Sequence, residues 1–467
     1  MFSKKDTQTI CALATPLGEG GIGIIKISGN KALSIVKKIF YKPNNKLLKN
    51  FQPWRLNYGF IKDPYSKEKI DEVLVSFMAK PKTYTKENII EINSHGGPFI
   101  LEKILKIVLS LGARLAEPGE FTRRAFLNGR INLLEAEATC DLIKTKSEAS
   151  LRRVQGQLQG NLSIKIQKIK QEIINMMASL EANIDFNDQD IPIINKKELK
   201  NKLMQIKKQI EDLLHSVHYD KIYREGINIA LVGLPNVGKS SLFNTLIEEQ
   251  KAIVTKIPGT TRDLIEETII INGIAVKLTD TAGITQADSQ INKESIKRFE
   301  KAILGADLIL LILDVNKKNS LSGFFKNIKK QIKKEIKSKP IILVGNKIDL
   351  IKKSSQLNKN KDIIFISAKT NHGIKKLESK IKKLVLKGQI QSENILVVNL
   401  RHKSLLEGAL IKIKNSLNAI RLGFTDDLVI IDLQDSLNFI LEIVGEGSVG
   451  NSEHVLNKIF ENFCIGK

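Results

Sequence analysis

Four short blocks, in fixed order and spacing, constrain this chain more than anything else in it: Gly233-Leu234-Pro235-Asn236-Val237-Gly238-Lys239-Ser240, Asp280-Thr281-Ala282-Gly283, Asn346-Lys347-Ile348-Asp349 and Ser367-Ala368-Lys369. The first fits G-x-x-x-x-G-K-[ST]. It follows an apolar run, Ile227 to Val232, and precedes a helical pattern, Leu242, Phe243, Leu246 and Ile247. Glycines there let backbone N–H groups surround phosphates, and a helix N-terminus favours negative charge. Lys239 is expected to reach the β- and γ-phosphates, and the Ser240 hydroxyl to hold Mg²⁺. A single phosphate-loop match arises by chance; four ordered blocks after apolar runs do not. The runs Leu308 to Leu313, Ile341 to Val344 and Ile363 to Ile366 alternate with helical segments. They predict an α/β domain whose parallel sheet is covered on both faces.

The later blocks name the base. A carboxylate at Asp349 can accept two hydrogen bonds from the N–H groups on guanine's Watson–Crick edge. Adenine offers no such pair, and a site that leaves its carboxylate desolvated and unpaired rejects the wrong base strongly. Lys347 can lie along the purine face, and the Ala368 backbone N–H suits the guanine O6. The expected nucleotide is GTP. Between the first two blocks lies an aperiodic loop, Ile257-Pro258-Gly259-Thr260-Thr261-Arg262-Asp263. Thr261 is the candidate to complete the Mg²⁺ shell beside the γ-phosphate, in a loop of the kind that switches with nucleotide state. Ile284 follows Gly283, where Ras-like proteins use a glutamine to orient the attacking water. Isoleucine cannot do this, so catalysis must come from elsewhere. A bound cation is one possibility, and the Asn236 side-chain oxygen is well placed to help hold it.

A chain of 467 residues is too long for one core, so two to four domains are expected. No apolar run reaches eighteen residues, and Met1-Phe2-Ser3-Lys4-Lys5-Asp6 has no apolar segment of a signal peptide. Cys11, Cys140 and Cys464 form neither a disulfide framework nor a zinc site, which fits a reducing cytoplasm. The net charge of +24 invites a nucleic-acid reading. However, 62 lysines against 12 arginines, with abundant Ile and Asn, look like a bias spread over the whole surface. Runs such as Lys329, Lys330, Lys333 and Lys334 read as solvated helix faces.

Residues 1–121 carry most prolines and short strand-like runs, for example Ile22 to Ile27, Val73 to Phe77 and Ile89 to Ile92, and predict an α+β domain. Over 122–222 the apolar residues Leu151, Val154, Leu158, Leu162, Ile166, Ile169, Ile173, Met176, Leu180 and Ile184 recur at steps of three and four, as in long amphipathic helices. The nucleotide domain occupies 223–388. Over 389–467 the helical spacing resumes with Leu405, Leu406, Ala409, Ile413, Leu417 and Ile420. Each helical stretch has one apolar face and needs a partner. The economical architecture is multidomain: an α+β N-terminal domain and an all-α domain with a Ras-like α/β domain inserted into it. The alternative is two separate helical domains.

Blocks outside the nucleotide domain carry a resemblance. Ala14-Thr15-Pro16-Leu17-Gly18-Glu19-Gly20-Gly21-Ile22-Gly23 opens the N-terminal domain, and Ser94-His95-Gly96-Gly97-Pro98 follows. Then come Pro118-Gly119-Glu120-Phe121-Thr122-Arg123-Arg124, running on to Arg130, and the final Phe463-Cys464-Ile465-Gly466-Lys467. Together these resemble the MnmE/TrmE family of tRNA uridine-modifying GTPases over essentially the whole chain. The Pro-Gly-Glu-Phe and Cys-Ile-Gly-Lys blocks are specific to it; the phosphate loop is shared with many GTPases.

The resemblance implies a homodimer formed through the N-terminal domain. It also implies an FAD-dependent partner subunit, with which the family installs a carboxymethylaminomethyl (or aminomethyl) group at C5 of the tRNA wobble uridine, with carbon from a folate. The folate contacts fall on Lys26, Glu91, Arg130 and Lys467. Lys26 stands where the family usually has Arg, and Arg130 where it has Lys; at 26 a bidentate fork is lost. The GTP contacts extend to Ser241, Thr255 and Lys256, and a potassium ion is expected on the Asn236 and Thr260 side chains and the Thr255 and Ile257 carbonyls. Cys464, between Phe460, Phe463 and Ile465, alone reads as a buried small thiol; the family motif assigns it a role near folate and uridine. The family's water-orienting glutamate, nine residues beyond Gly283, is here Asn292, with Glu294 two residues on. His95 reads as a turn residue. The competing functional class is a ribosome-assembly GTPase without covalent RNA chemistry, which would share the nucleotide blocks but lack the terminal motif.

Overall fold

The computed structural model describes residues 7–16, 18–145, 147–185, 196–224, 226–234, 236–249, 265–271, 273–280, 303–316, 339–351, 362–385, 399–446, 456–457, 459–461, 463 and 466. Contacts gather the chain into two units, residues 1–143 with 157–209 and 404–467, and residues 144–156 with 210–403.

The first unit opens with a seven-stranded sheet. Its strands are β1 (Ile10–Leu13), β2 (Gly23–Ser28), β3 (Phe40–Tyr41), β4 (Leu56–Lys62), β5 (Lys69–Met78), β6 (Ile89–Ser94) and β7 (Arg114–Leu115), in spatial order β3-β4-β5-β6-β2-β1-β7. Neighbours run antiparallel except β1 and β7. Strand β5 shows the cause: Asp71, Val73, Val75 and Phe77 are buried while Glu72 and Leu74 are exposed, the two-residue period of a sheet with one covered face. Helices α1 (Ala32–Ile39) and α2 (Pro98–Ser110) supply Ile35, Val36, Ile39, Leu101, Ile104 and Val108 to the same core. Helices α3 (Glu120–Leu127) and α4 (Leu133–Lys144) follow.

The apolar periodicity between Leu151 and Ile184 resolves into two helices, α5 (Glu148–Leu158) and α6 (Asn161–Asp185), separated at Gly160. Leu162, Ile166, Ile169, Ile173 and Leu180 are buried along α6; Ile184, at its end, is exposed and falls off the stripe. Helix α7 (Lys196–Arg224) comes next. After the nucleotide domain come α10 (Leu400–Leu422) and α11 (Asp426–Val444). Val429, Leu433 and Ile440 are buried along α11, which packs on α6. The segments on either side of the inserted domain thus share one helical core. Burying one such aliphatic side chain is worth roughly 1.5–3 kcal/mol, well above helix propensity differences, so mutual burial stabilises these helices.

The second unit holds the α/β domain. Its strands are β8 (Ile227–Val232), β9 (Ile265–Ile271), β10 (Ile274–Asp280), β11 (Leu308–Asp314), β12 (Ile341–Asn346) and β13 (Ile363–Phe365), in order β13-β12-β11-β8-β10-β9. Only β9–β10 is antiparallel. Helix α8 (Lys239–Glu249) starts in the phosphate loop, and α9 (Ile374–Val385) buries Ile374, Leu377 and Ile381 against the sheet core. From β8 the chain builds β9 and β10 on one side, then crosses to β11 on the other. Such a reversal opens a crevice at the carboxyl end of the central strand, where α/β sheets take ligands. Among the described residues no helix is long and apolar enough to cross a membrane.

Candidate guanine-nucleotide site

The phosphate loop lies at that switch point. Gly238 has φ +91°, a left-handed backbone that favours glycine, and a Cβ there would run into the Asn346 carboxamide. Lys239 is buried, and its Nζ donates to the Gly233 and Leu234 carbonyls at 2.9 and 3.0 Å. Burial pushes its ammonium pKa down, partly opposed by the charge of Asp280. That is a cation placed where an anionic ligand gains most. Ser240 Oγ donates to Asp280 Oδ2 at 2.9 Å, bringing a hydroxyl and a buried carboxylate together at the ends of α8 and β10. Two hard oxygens so placed suit Mg²⁺, and Asp280 joins Ser240 as a residue that would hold it. Asn236 is exposed at φ +65°, and its backbone carbonyl accepts from Lys347 Nζ at 2.6 Å. This fixes the residue without using its side chain, which suits a role in cation binding.

The base pocket is built around Asn346 at the end of β12. Its Nδ2 donates to the Val237 carbonyl at 3.0 Å, and its Oδ1 accepts from the Ala368 N–H at 3.1 Å. One buried carboxamide therefore ties the phosphate loop to the Ser367–Lys369 loop. The Ala368 N–H, which the sequence offers to the guanine O6, is held beside Asn346 at the base-reading loop by this bond. Ser367 Oγ donates to Asp349 Oδ1 at 2.7 Å, orienting the base-reading carboxylate, and Thr245 Oγ1 donates to the Ala368 carbonyl at 2.8 Å. Lys347 sits in a left-handed backbone, φ +70°, with Nζ also 2.8 Å from Asp314 Oδ2. Burial alone would raise the Asp314 carboxyl, but the Lys347 bond and the Asn316 N–H hold it below its ordinary value. Sequence reading missed Asp314 and Thr245. Asp314 had a signal, as the first polar residue after the apolar run Leu308 to Leu313.

A second grouping lies in the N-terminal sheet. Lys26 on β2 pairs in register with Glu91 on β6, with Nζ 3.8 Å from Oε1, and its Nζ stands 5.6 Å from the Phe121 ring centroid. Arg130 stacks on Tyr84 at 4.8 Å, and the Tyr84 hydroxyl lies 2.9 Å from Thr122 Oγ1. Phe121 and Tyr84 belong to one small apolar cluster with Ile10, Ala12 and Ala116. Two cations and a carboxylate around aromatic faces fit a flat, carboxylate-bearing ligand such as a folate.

The C-terminal segment reaches the same region. Gly119, at φ +66°, would place a Cβ 2.8 Å from the Phe460 carbonyl and 2.9 Å from Phe463 Cβ. A Cβ on Gly466 would run into the Leu13 carbonyl at the end of β1. The Pro-Gly-Glu-Phe block and the terminal block are therefore two sides of one contact. Thr255, Lys256, Ile257, Pro258, Gly259, Thr260, Thr261, Thr281, Ala282, Gly283, Ile284, Asn292, Glu294, Cys464 and Lys467 lie outside the described residues. His95 is tied by Nδ1 and its backbone N to Asp71 at 2.7 and 2.8 Å. Its pKa is raised by that bond and by the Asp71 charge.

The fold and this site define a multidomain protein with an α+β N-terminal domain, a helical domain and a phosphate-loop, guanine-reading nucleotide-binding domain inserted in the helical segment of the chain. The family model described as the N-terminus of GTP-binding protein TrmE matches residues 9–130, and the MnmE helical domain model matches residues 133–464. A protein of Thermoanaerobacter sp. (strain X514) named tRNA modification GTPase MnmE is 43% identical over 98% of this chain and 99% of its own. The protein of that name from Alkaliphilus metalliredigens (strain QYMF) is 42% identical over the same shares. The solved G domain of the T. maritima FeoB iron transporter is 28% identical, covering 34% of this chain and 97% of that one, with a TM-score of 0.26. The chain belongs to the MnmE family of tRNA modification GTPases.

Proposed function

We propose that this chain is a potassium-dependent GTPase that acts with an FAD-dependent partner subunit. Together they add a carboxymethylaminomethyl group to C5 of the wobble uridine of certain tRNAs. In this reading it is a cytoplasmic homodimer paired through residues 1–121, with helical parts 122–222 and 389–467 carrying the GTP domain at 223–388. The observation that most supports it is the contact of Gly466 with the Leu13 carbonyl, which brings the terminal motif beside the strand pair that carries Lys26.

On this reading Lys239 binds the β- and γ-phosphates, Ser240, Asp280 and Thr261 hold Mg²⁺, and Asp349, oriented by Ser367, reads guanine. Asn236, Thr260 and the Thr255 and Ile257 carbonyls hold potassium. When bound, that cation supplies positive charge beside the β/γ-phosphates, the service an arginine finger gives elsewhere. Lys26, Glu91, Arg130 and Lys467 hold the folate, which supplies the transferred carbon. Cys464 acts at that centre as nucleophile or proton carrier, a role in which a thiol far exceeds a hydroxyl near neutral pH. Cys11 is no substitute, since burial pushes its thiol up to about 12 against the opposing charge of Arg114.

The test is nucleoside analysis of wobble uridines in a strain lacking the protein, complemented by wild type or by Cys464→Ser. Loss of the modification, restored by wild type only, is expected, while purified Cys464→Ser hydrolyses GTP at close to the wild-type rate. Modification restored by the variant returns Cys464 to a packing role. Modification intact in the deletion strain removes the proposed function.

A further inference from the structure

A cavity of about 540 Å³ opens on the N-terminal domain between Trp54, Met78, Lys82, Tyr84, Lys86 and Arg130. Its size falls within the roughly 300–1,000 Å³ of built ligand sites. Three lining residues are cationic and none is acidic. Two are aromatic, and one of them is unusual. Trp54 is the only tryptophan in the chain, is 57% exposed, and sits in a left-handed backbone at φ +64°, held there by its backbone N–H on the Phe77 carbonyl at 2.8 Å. A large non-glycine residue in that conformation stores strain on the order of 1–3 kcal/mol. Neither burial nor core packing explains an indole presented to solvent at that expense. On the far wall the Arg130 guanidinium lies over Tyr84, and Lys86 Nζ is fixed on the Gly129 carbonyl at 2.9 Å, so both cations are preorganised.

An exposed indole, a stacked guanidinium and two lysines, with no acidic residue in the lining, are the recognition set for an unpaired nucleotide. The base stacks on the aromatic face and the backbone phosphate meets the cations. We propose that this cavity receives one unstacked nucleotide of the tRNA anticodon loop, with the base on Trp54 and the adjoining phosphate on Lys82 and Lys86. The inference rests on the tRNA reading above and gives that reading a binding surface. Arg130 belongs both to this cavity and to the proposed folate set, so a nucleotide held here would lie beside the carbon donor. The net charge, spread as it is, did not indicate this place; the coincidence of the lone tryptophan, its strain and the cationic walls does.

Trp54 is also its own reporter. The full chain is titrated with a 17-nucleotide anticodon stem-loop RNA while tryptophan emission is followed, and in parallel by filter binding with labelled RNA. Saturable quenching is expected, weakening as salt rises. Trp54→Leu should weaken filter binding roughly tenfold, Trp54→Phe should restore most of it, and Lys82→Ala should weaken it and flatten its salt dependence. GTP hydrolysis should stay unchanged in all three. RNA bound with unchanged Trp54 emission and equal affinity for Trp54→Leu and wild type overturns the proposal and leaves the tRNA reading standing. Loss of labelled 5-formyltetrahydrofolate binding in Trp54→Leu and Lys82→Ala, with RNA binding intact, assigns the cavity to the folate and also overturns it. No binding of the stem-loop or of whole tRNA overturns both.

Discussion

At Asn346 the two ends of one carboxamide meet the Val237 carbonyl and the Ala368 N–H, so deleting it unpairs two buried backbone groups at once. Each such group costs about 1–3 kcal/mol when left unsatisfied. Asn346→Ala is therefore expected to lower the urea midpoint and to weaken fluorescent GDP binding at least tenfold. Wild-type affinity in that variant would mean the two loops hold each other without it. Glu120 makes a different case. It is 2% exposed, accepts from Arg114 at 2.6 and 2.9 Å and from Arg124, also 2% exposed, at 2.9 Å, and takes the Glu117 N–H at 2.9 Å. Burial would raise its pKa, but the Arg114 bond, the Glu117 N–H and Arg124 together hold it below the ordinary value. The unfolded chain then binds the proton more tightly than the folded one, so stability contributed here rises with pH. It is fully present above the unfolded value of about 4.3 and drains as pH falls through the lower folded value. Glu120→Ala should cost on the order of 1–3 kcal/mol at neutral pH, since Arg124 keeps Glu87 while other buried donors lose their acceptor. In chemical denaturation the gap to wild type should narrow in acid; a gap constant down to pH 3 would show that Glu120 acts by packing alone.

Gly119 caps the start of helix α3, and the C-terminal segment packs against the same residue. Phe460 and Phe463 are buried with Leu133, Ala136 and Cys140 of α4, so the tail is held by apolar contact on one side and by the missing Cβ of Gly119 on the other. Gly119→Ala has no room at 2.8 Å from the Phe460 carbonyl and no relaxed backbone at φ +66°. It should release the tail while leaving the inserted domain intact. Expected are GTP binding unchanged, faster protease removal of the C-terminal segment and, on the proposed function, strongly reduced wobble modification. Equal cleavage rates in variant and wild type would mean that the Phe460 and Phe463 cluster holds the tail unaided.

Much of the molecule was legible in the order of its residues, for identifiable reasons. The buried parallel strands announce themselves as unbroken apolar runs, and the four nucleotide blocks fix backbone shapes that few residues allow. The helical stripes at steps of three and four show a face in need of a partner, though not that α6 and α11 supply it to each other. What stayed hidden depends on contacts far apart in sequence. Asp314 matters only because Lys347 turns left-handed onto it, and Glu120 and Arg124 read as family signature residues until the fold buries them as an ion network. The tie between Ala368 and Asn346 could not be foreseen either, since a backbone N–H carries no signature of its partner. On the proposed reading, two positions of the inserted domain lack the residues that other GTPases use to orient water. Ile284 cannot orient one, and Asn292, where the family resemblance implies a glutamate, keeps a carbonyl acceptor but loses the charge and one methylene of reach. With the phosphate and base contacts unchanged, GTP affinity should be ordinary and hydrolysis slow, yet dependent on potassium. Charge stabilisation at the β/γ-phosphates by a cation can stand for an arginine finger, itself worth about 10³–10⁵ in rate. Single-turnover hydrolysis in potassium and in sodium at equal ionic strength, for wild type, Asn292→Glu and Glu294→Ala, separates the contributions. A large gain for Asn292→Glu in potassium alone is the expected result. Equal rates in the two salts would remove the cation from the mechanism, and no gain at 292 with collapse of Glu294→Ala would move the water-orienting carboxylate two residues along the chain.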